Sequence, residues 1–211
     1  MAEGLRERKK RQTRQYISDV ATGLFIERGF DAVTVAEIAD AANVSVNTVY
    51  NYFPAKEDLF LDRSAGMVDR LARWVRGRAE GESAAQAVLR ELRDEVRAVS
   101  PRVGLFAGYA DFMRVIQEAP VLRSRLWALA QQVEANLEQV LREETGAAED
   151  DELPSLMAGQ VSWVYGTAIR VIGREMLKRR EPGEVSREVL ALLDDIEELL
   201  SERVLMYAVR G

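Results

Sequence analysis

Thr34-Val35-Ala36-Glu37-Ile38-Ala39-Asp40-Ala41-Ala42-Asn43-Val44-Ser45-Val46-Asn47-Thr48-Val49-Tyr50-Asn51-Tyr52-Phe53-Pro54-Ala55-Lys56 spells two short helices joined by a tight turn. Thr34 is placed to cap the first helix, and Glu37 three residues later completes a capping box. Val33 and Ile38 stand where a hydrophobic staple fixes the entry of the chain. Ser45 caps the second helix, and Pro54 ends it. Val35, Ile38, Ala39 and Ala42 make one inward face, and Val49 and Phe53, four apart, make the other. Val46, Asn47, Thr48, Tyr50 and Asn51 are left facing outward. A short helix that shows amides, a hydroxyl and a phenol suits the edge of a DNA groove. Base contacts are expected from Val46, Asn47 and Asn51. Asn matches adenine N6 and N7 in bidentate fashion, and Val46 can meet a thymine methyl.

A helix before this pair completes a three-helix unit. Ile17, Val20, Ala21, Leu24 and Phe25 recur at helical spacing, Gly29 supplies the stop, and Phe30 comes next as an apolar anchor. Such a unit of about fifty residues is marginal alone and needs support from the remainder of the chain. The net charge of −6 is unhelpful to a nucleic-acid binder until it is placed along the chain. Arg6, Arg8, Lys9, Lys10, Arg11 and Arg14 crowd the start, while acid collects later, in Glu149-Asp150-Asp151-Glu152 and around Asp194-Asp195. An acidic protein with a basic arm beside a helix-turn-helix still attracts DNA through its local field.

The run Phe30, Thr34, Ile38-Ala39, Ala42, Val44-Ser45, Thr48, Tyr50, Tyr52-Phe53, Lys56-Glu57 and Leu59 resembles the N-terminal domain of the TetR family of bacterial repressors. The resemblance covers roughly the first sixty residues and combines many spaced positions. It implies an all-helical homodimer whose second, larger domain binds a small molecule. It places Tyr50 and Lys56 among the contacts to the DNA backbone. Thr34, Ser45, Thr48 and Tyr52 complete the expected phosphate set. Two positions depart from the pattern. Asn47 stands where the family very often has Gly, and Ala55 stands where a capping Ser or Asn is common.

The whole chain is expected to be all-α, with a DNA-binding domain over 1–58 and a ligand-binding and dimerisation domain of about six helices over 59–211. Helices are expected from Leu59 to about Arg78, from Ser83 through Val99, over Val103–Glu118, from Pro120 to about Glu144, from Pro154 to about Arg180, and from about Ser186 to about Tyr207. Gly159, Ser162, Gly166 and Gly173 form a row of small residues that lets another helix backbone approach. Leu193, Ile196 and Leu200 form a stripe on the last helix. These seven residues are the expected dimer interface, and packing of the monomer core is the alternative. The expected effector pocket comprises Trp74, Phe106, Tyr109, Phe112, Met113, Trp127, Gln160, Trp163 and Arg170. An aromatic set with polar tips fits an apolar or planar compound, although aromatics at helical spacing also fit a solid core.

Several functions are set aside by composition. The chain has no Cys and no His, which removes disulfides, thiolate chemistry, the usual imidazole base and most transition-metal sites, so no cofactor is expected. Its most apolar run, Val161 to Ile172, contains Ser162, Thr167 and Arg170 and is too short to span a bilayer. The basic N-terminus has no apolar segment behind it, so it does not read as a signal peptide, and a cytoplasmic protein is expected. The favoured reading is a ligand-responsive regulator that binds a palindromic operator as a homodimer. The alternatives are an architectural or protein-recruiting factor of the same fold with no effector, and, more remotely, a helical enzyme.

Overall fold

The computed structural model describes residues 4–62 and 66–211. Eleven α-helices and no strands are found among the described residues. They are α1 (Leu5–Arg28), α2 (Val35–Ala41), α3 (Val46–Tyr52), α4 (Lys56–Phe60), α5 (Arg70–Arg76), α6 (Ala84–Arg97), α7 (Tyr109–Glu118), α8 (Pro120–Thr145), α9 (Leu153–Leu177), α10 (Pro182–Leu199) and α11 (Glu202–Leu205). The chain divides into two compact units, one of residues 1–65 with 111–127, the other of 66–110 with 128–211. The division falls within α7 and α8. The sequence reading divides the chain once, after residue 58, whereas packing draws 111–127 into the first unit.

That segment supplies the support a three-helix unit lacks. Ile17, Ala21, Phe25, Val33, Ile38, Val49, Phe53, Leu59 and Phe60 are buried, and so are Val115, Ile116 and Leu122 of the returning segment. Phe60 stacks on Phe112 with centroids 4.5 Å apart, and Phe25 meets Phe60 edge-on at 5.8 Å. Polar ties reinforce the packing. Arg114 donates to the Ile26 carbonyl at 3.0 Å, and Arg125 lies 3.6 Å from the Asp58 carboxylate.

In the second unit α10 packs on α9 and α6, and α5 packs on α6. Leu71, Val75, Leu89, Leu92, Leu137, Leu141, Ile172, Val185, Val189 and Leu193 form its core. Ser83 caps α6 in a full capping box with Gln86. Arg78 is buried and ties together the carbonyls of Val75, Glu82 and Ala208, with Glu144 at 2.5 Å as its ion-pair partner.

The element boundaries depart from the sequence reading in three places. The expected helix from Leu59 to Arg78 is two helices, α4 and α5, with residues 63–65 outside the described ones. The expected helix from Val103 begins only at Tyr109. Gly104 and Gly108 take φ of 91° and 88°, in the left-handed region that Gly alone enters freely, and a 3-10 turn occupies Pro101–Val103. The last helix starts earlier, at Pro182, and stops at Leu199. Leu200 turns extended, and Ser201 caps the short α11 through the Val204 amide.

Candidate nucleic-acid interface

Local capping fixes both helices of the helix-turn-helix. Thr34 Oγ1 accepts from the Glu37 amide at 3.2 Å, and Glu37 Oε2 accepts from the Thr34 amide at 2.7 Å. Arg28 donates to the other carboxylate oxygen at 2.6 Å. The Thr34 backbone bond, followed by those from Arg28 and the Thr34 hydroxyl, holds the Glu37 carboxyl down at about 2. Asn43 makes the turn with a φ of 52°, a conformation that Asn tolerates better than most residues. Ser45 Oγ then accepts from the Thr48 amide at 3.0 Å and shares a 2.8 Å hydrogen bond with Thr48 Oγ1. The hydroxyls of Ser45 and Thr48 therefore serve the helix start first.

α3 is pinned by Val49 and Phe53, both buried. Its outer face carries Val46, Asn47, Tyr50 and Asn51, all exposed, with half the Tyr50 surface open. Asn47 and Asn51 are one turn apart and lie on the same side of the helix. The expected base contacts therefore share one exposed row.

Two cations near α3 are engaged within the chain. Arg14, counted with the basic arm in the sequence reading, bonds Asp62 through Nε at 2.8 Å and donates from Nη1 to the Tyr52 carbonyl at 2.7 Å. Its guanidinium also lies 4.5 Å from the centre of the Phe53 ring. It thus closes the C-terminal end of α3, where a cation meets the helix dipole favourably. No spacing rule joins positions 14 and 62, which is why the sequence reading missed this link. Lys56 Nζ donates to the Phe30 carbonyl at 2.6 Å and lies 4.4 Å from the centre of the Phe30 ring. Partial burial lowers its pKa, the nearby Asp31 and Glu37 opposing. Ala55 gives α4 no side-chain cap, and Asp58 Oδ2 takes up the Ala55 amide instead at 3.2 Å.

The expected effector residues divide between the two units. Phe112, Met113 and Trp127 lie in the first unit, and the other six lie in the second. Phe112 is stacked into the first unit's own core, and Trp127 is 70% exposed. On α9 the helical phase turns Gln160, Trp163 and Arg170 outward while Val161, Tyr165, Ala168 and Ile172 face in. Arg170 Nη2 donates to Thr167 Oγ1 at 2.9 Å. Phe106 meets Tyr109 edge-on at 5.6 Å, and Trp74 meets Tyr165 edge-on at 6.0 Å. A cavity of about 150 Å³ is lined by Tyr109, Met176, Arg180 and Pro182 among others, and shares only Tyr109 with the expected set.

The expected dimer residues also divide. Leu193 and Ile196 are buried in the core of the second unit, on the side of α10 that packs against its own chain, and are closed to a partner. A Cβ at Gly173 would meet the Tyr109 hydroxyl at 2.8 Å, so the close approach there is internal. Ser162 Oγ is enclosed and has no hydrogen-bond partner among the described residues. Gly159 and Leu200 are half-buried. Gly166 alone of the seven is exposed, with nothing within 4 Å of its would-be Cβ. It shares the outer face of α9 with Leu156, 65% exposed, and Trp163, 46% exposed.

Residues 17–62 match the profile of the bacterial regulatory proteins, tetR family. These residues are a tetR-family DNA-binding domain. It is 27% identical over 186 residues to the HTH-type transcriptional regulator TcmR of Streptomyces glaucescens, an alignment covering 84% of this chain and 79% of that one. It is 40% identical over 58 residues to the HTH-type transcriptional repressor KstR2 of Rhodococcus jostii, an alignment covering 28% of each chain. Among solved structures it shares its fold with NalD, the secondary repressor of the MexAB-OprM multidrug efflux pump in Pseudomonas aeruginosa. That superposition covers 88% of this chain and 96% of NalD, with a TM-score of 0.57 and 18% identity. The TetR-family relatives matched over their sequences are transcriptional regulators, and this chain is a helix-turn-helix transcriptional regulator of the same kind. No helix among the described residues is long and apolar enough to cross a membrane.

Proposed function

We propose that this TetR-family regulator is a cytoplasmic repressor that binds a palindromic operator as a homodimer and leaves it when a small effector binds. Residues 1–58 carry DNA recognition in this reading, and 59–211 carry effector binding and self-association. The observation that carries it is the exposed row Val46, Asn47, Tyr50 and Asn51 on a helix held rigid by two buried anchors and a side-chain cap. Tyr50 within that row, and Tyr52, Lys56, Thr34, Ser45 and Thr48 around it, serve as phosphate contacts in this reading. A two-fold dimer supplies a second row for the second half-site, about one helical turn of DNA away or a multiple of it. The outer face of α9 around Leu156, Trp163 and Gly166 is the surface that supports self-association. An effector that favours a mismatched dimer by a few kcal/mol releases the operator.

A mobility-shift assay on the promoter beside the gene tests the DNA reading. A discrete, competitor-resistant complex at nanomolar protein is expected, and binding that any DNA competes away equally would contradict it. The second reading, a DNA-binding factor with no effector, is favoured by the outward phase of Gln160, Trp163 and Arg170 on α9 and by the exposure of Trp127. A small-molecule thermal-shift screen, with operator release measured for each hit, separates the two.

A further inference from the structure

Arg70, on the first turn of α5, is only 7% exposed and makes no ion pair among the described residues. Its Nη1 donates to the Arg102 carbonyl at 2.7 Å and to the Tyr165 hydroxyl at 2.8 Å. A guanidinium carries five N–H donors, and those on Nε and Nη2 are unused among the described residues. Glu95, whose charge acts on Tyr165, pairs with Arg102 instead, at 3.2 Å. Ser162 Oγ is the one side-chain polar atom both sealed and unpartnered among the described residues, so the unused edge of Arg70 remains open to an incoming group.

Tyr165, on α9, is equally buried. Its oxygen accepts from Arg70, which leaves its own proton to be given. Burial pushes the phenol up even beside the Arg70 cation, so the hydroxyl is a neutral donor at ordinary pH. Trp74, one turn along α5 from Arg70, meets the Tyr165 ring edge-on. Buried cations are costly without a carboxylate, and the donors left over on Arg70 and Tyr165 are complementary to an anion.

We propose that Arg70 and Tyr165 form the head-group seat of the effector site and that the effector is an organic acid. Its carboxylate takes two N–H groups from the free edge of Arg70 and the hydroxyl of Tyr165, the bidentate geometry that suits a guanidinium. Its apolar body lies toward Trp74. This rests on the reading of the second unit as an effector domain.

Calorimetry on the full-length protein at neutral pH tests it with two matched pairs, 1-naphthoate against 1-naphthamide and dodecanoate against dodecanamide. At least one acid should bind ten-fold or more tighter than its amide. Tyr165→Phe, which removes only a hydroxyl, should lose most of that discrimination, and Arg70→Gln should lose all of it. Should Arg70→Gln fail to fold, Arg70→Lys keeps the charge without the fork and should bind the acid at least ten-fold more weakly. Equal binding of acid and amide overturns the anion seat, as does discrimination that survives Tyr165→Phe and the Arg70 variant, or no binding by any of the four. The effector reading fails separately, when compounds that bind the protein, these acids included, leave operator affinity unchanged.

Discussion

Asn47 and Asn51 are stacked one turn apart on the open side of α3, and the backbone beneath them is fixed by Val49, Phe53 and the Ser45 cap. A side chain on so rigid a base loses little further freedom when it meets a base edge, so its hydrogen bonds translate into discrimination. The frequent Gly of the family at position 47 has nothing to read with, and in the proposed reading Asn47 adds a contact. Asn47→Gly is expected to relax preference at one base pair of each half-site by about 1–3 kcal/mol while leaving non-specific binding nearly intact. Binding-site selection with both proteins checks this, and identical logos would remove Asn47 from base reading. On the preceding helix, Glu37 closes the cap of α2. Its folded pKa of about 2 lies below its ordinary 4.5, so the charge favours the folded state fully above about pH 4.5 and progressively less as pH falls toward 2. Glu37→Gln keeps the capping shape and removes the charge. The gap in thermal midpoint between the two proteins should therefore narrow below pH 4.5, and a gap that stays constant in acid would contradict the linkage.

Helix faces decide what each glycine on α9 is for. Gly173 is pressed by the Tyr109 hydroxyl, whereas Gly166 opens outward beside Trp163. Gly166→Leu should therefore leave the fold intact and weaken the proposed dimer, while Gly173→Leu should overpack the second unit and cost roughly 1–3 kcal/mol of stability. Sedimentation and thermal melts separate the two, and a Gly166→Leu protein that remains a full dimer would place the subunit contact elsewhere. The contrast also shows where a sequence stops being readable. Thr34 with Glu37, Ser45 with Thr48, and Ser83 with Gln86 are legible because a cap and its partner lie three residues apart, within one turn. Arg14 finds Asp62 across 48 positions, and Arg70 finds Tyr165 across 95, distances at which no periodicity operates. The same limit explains the aromatic set. Helical spacing gives the relative phase of Trp163 and Tyr165, but which of the two faces the core depends on the neighbours that α9 meets. Small residues mark a close approach in either case, and only packing tells an internal approach at Gly173 from an open face at Gly166.

Charge is a property of the whole molecule, and here it opposes the function unless it is segregated. The chain carries 35 acidic and 29 basic residues, yet Arg6, Arg8, Lys9 and Lys10 occupy the first turns of α1 with only Glu7 among them. All four are exposed, and α1 continues from them into the buried Ile17, Ala21 and Phe25, so the basic arm is a helical extension of the DNA-binding unit. Charges on a stiff helix hold a fixed relation to the fold, which suits contact with phosphates better than a wandering tail does. Replacing Arg6, Arg8, Lys9 and Lys10 with Gln makes the net charge more negative by four. It should weaken binding to every DNA sequence by a similar factor. For each side chain that rests on a phosphate, the slope of log K against log salt should fall by about 0.9. Because phosphates carry no sequence, the ratio of specific to non-specific affinity should hardly move. Titrations at several salt concentrations, on operator and on unrelated DNA, measure both quantities. An unchanged slope would take the arm off the phosphate backbone, and a fall in the specificity ratio would assign it to reading a groove.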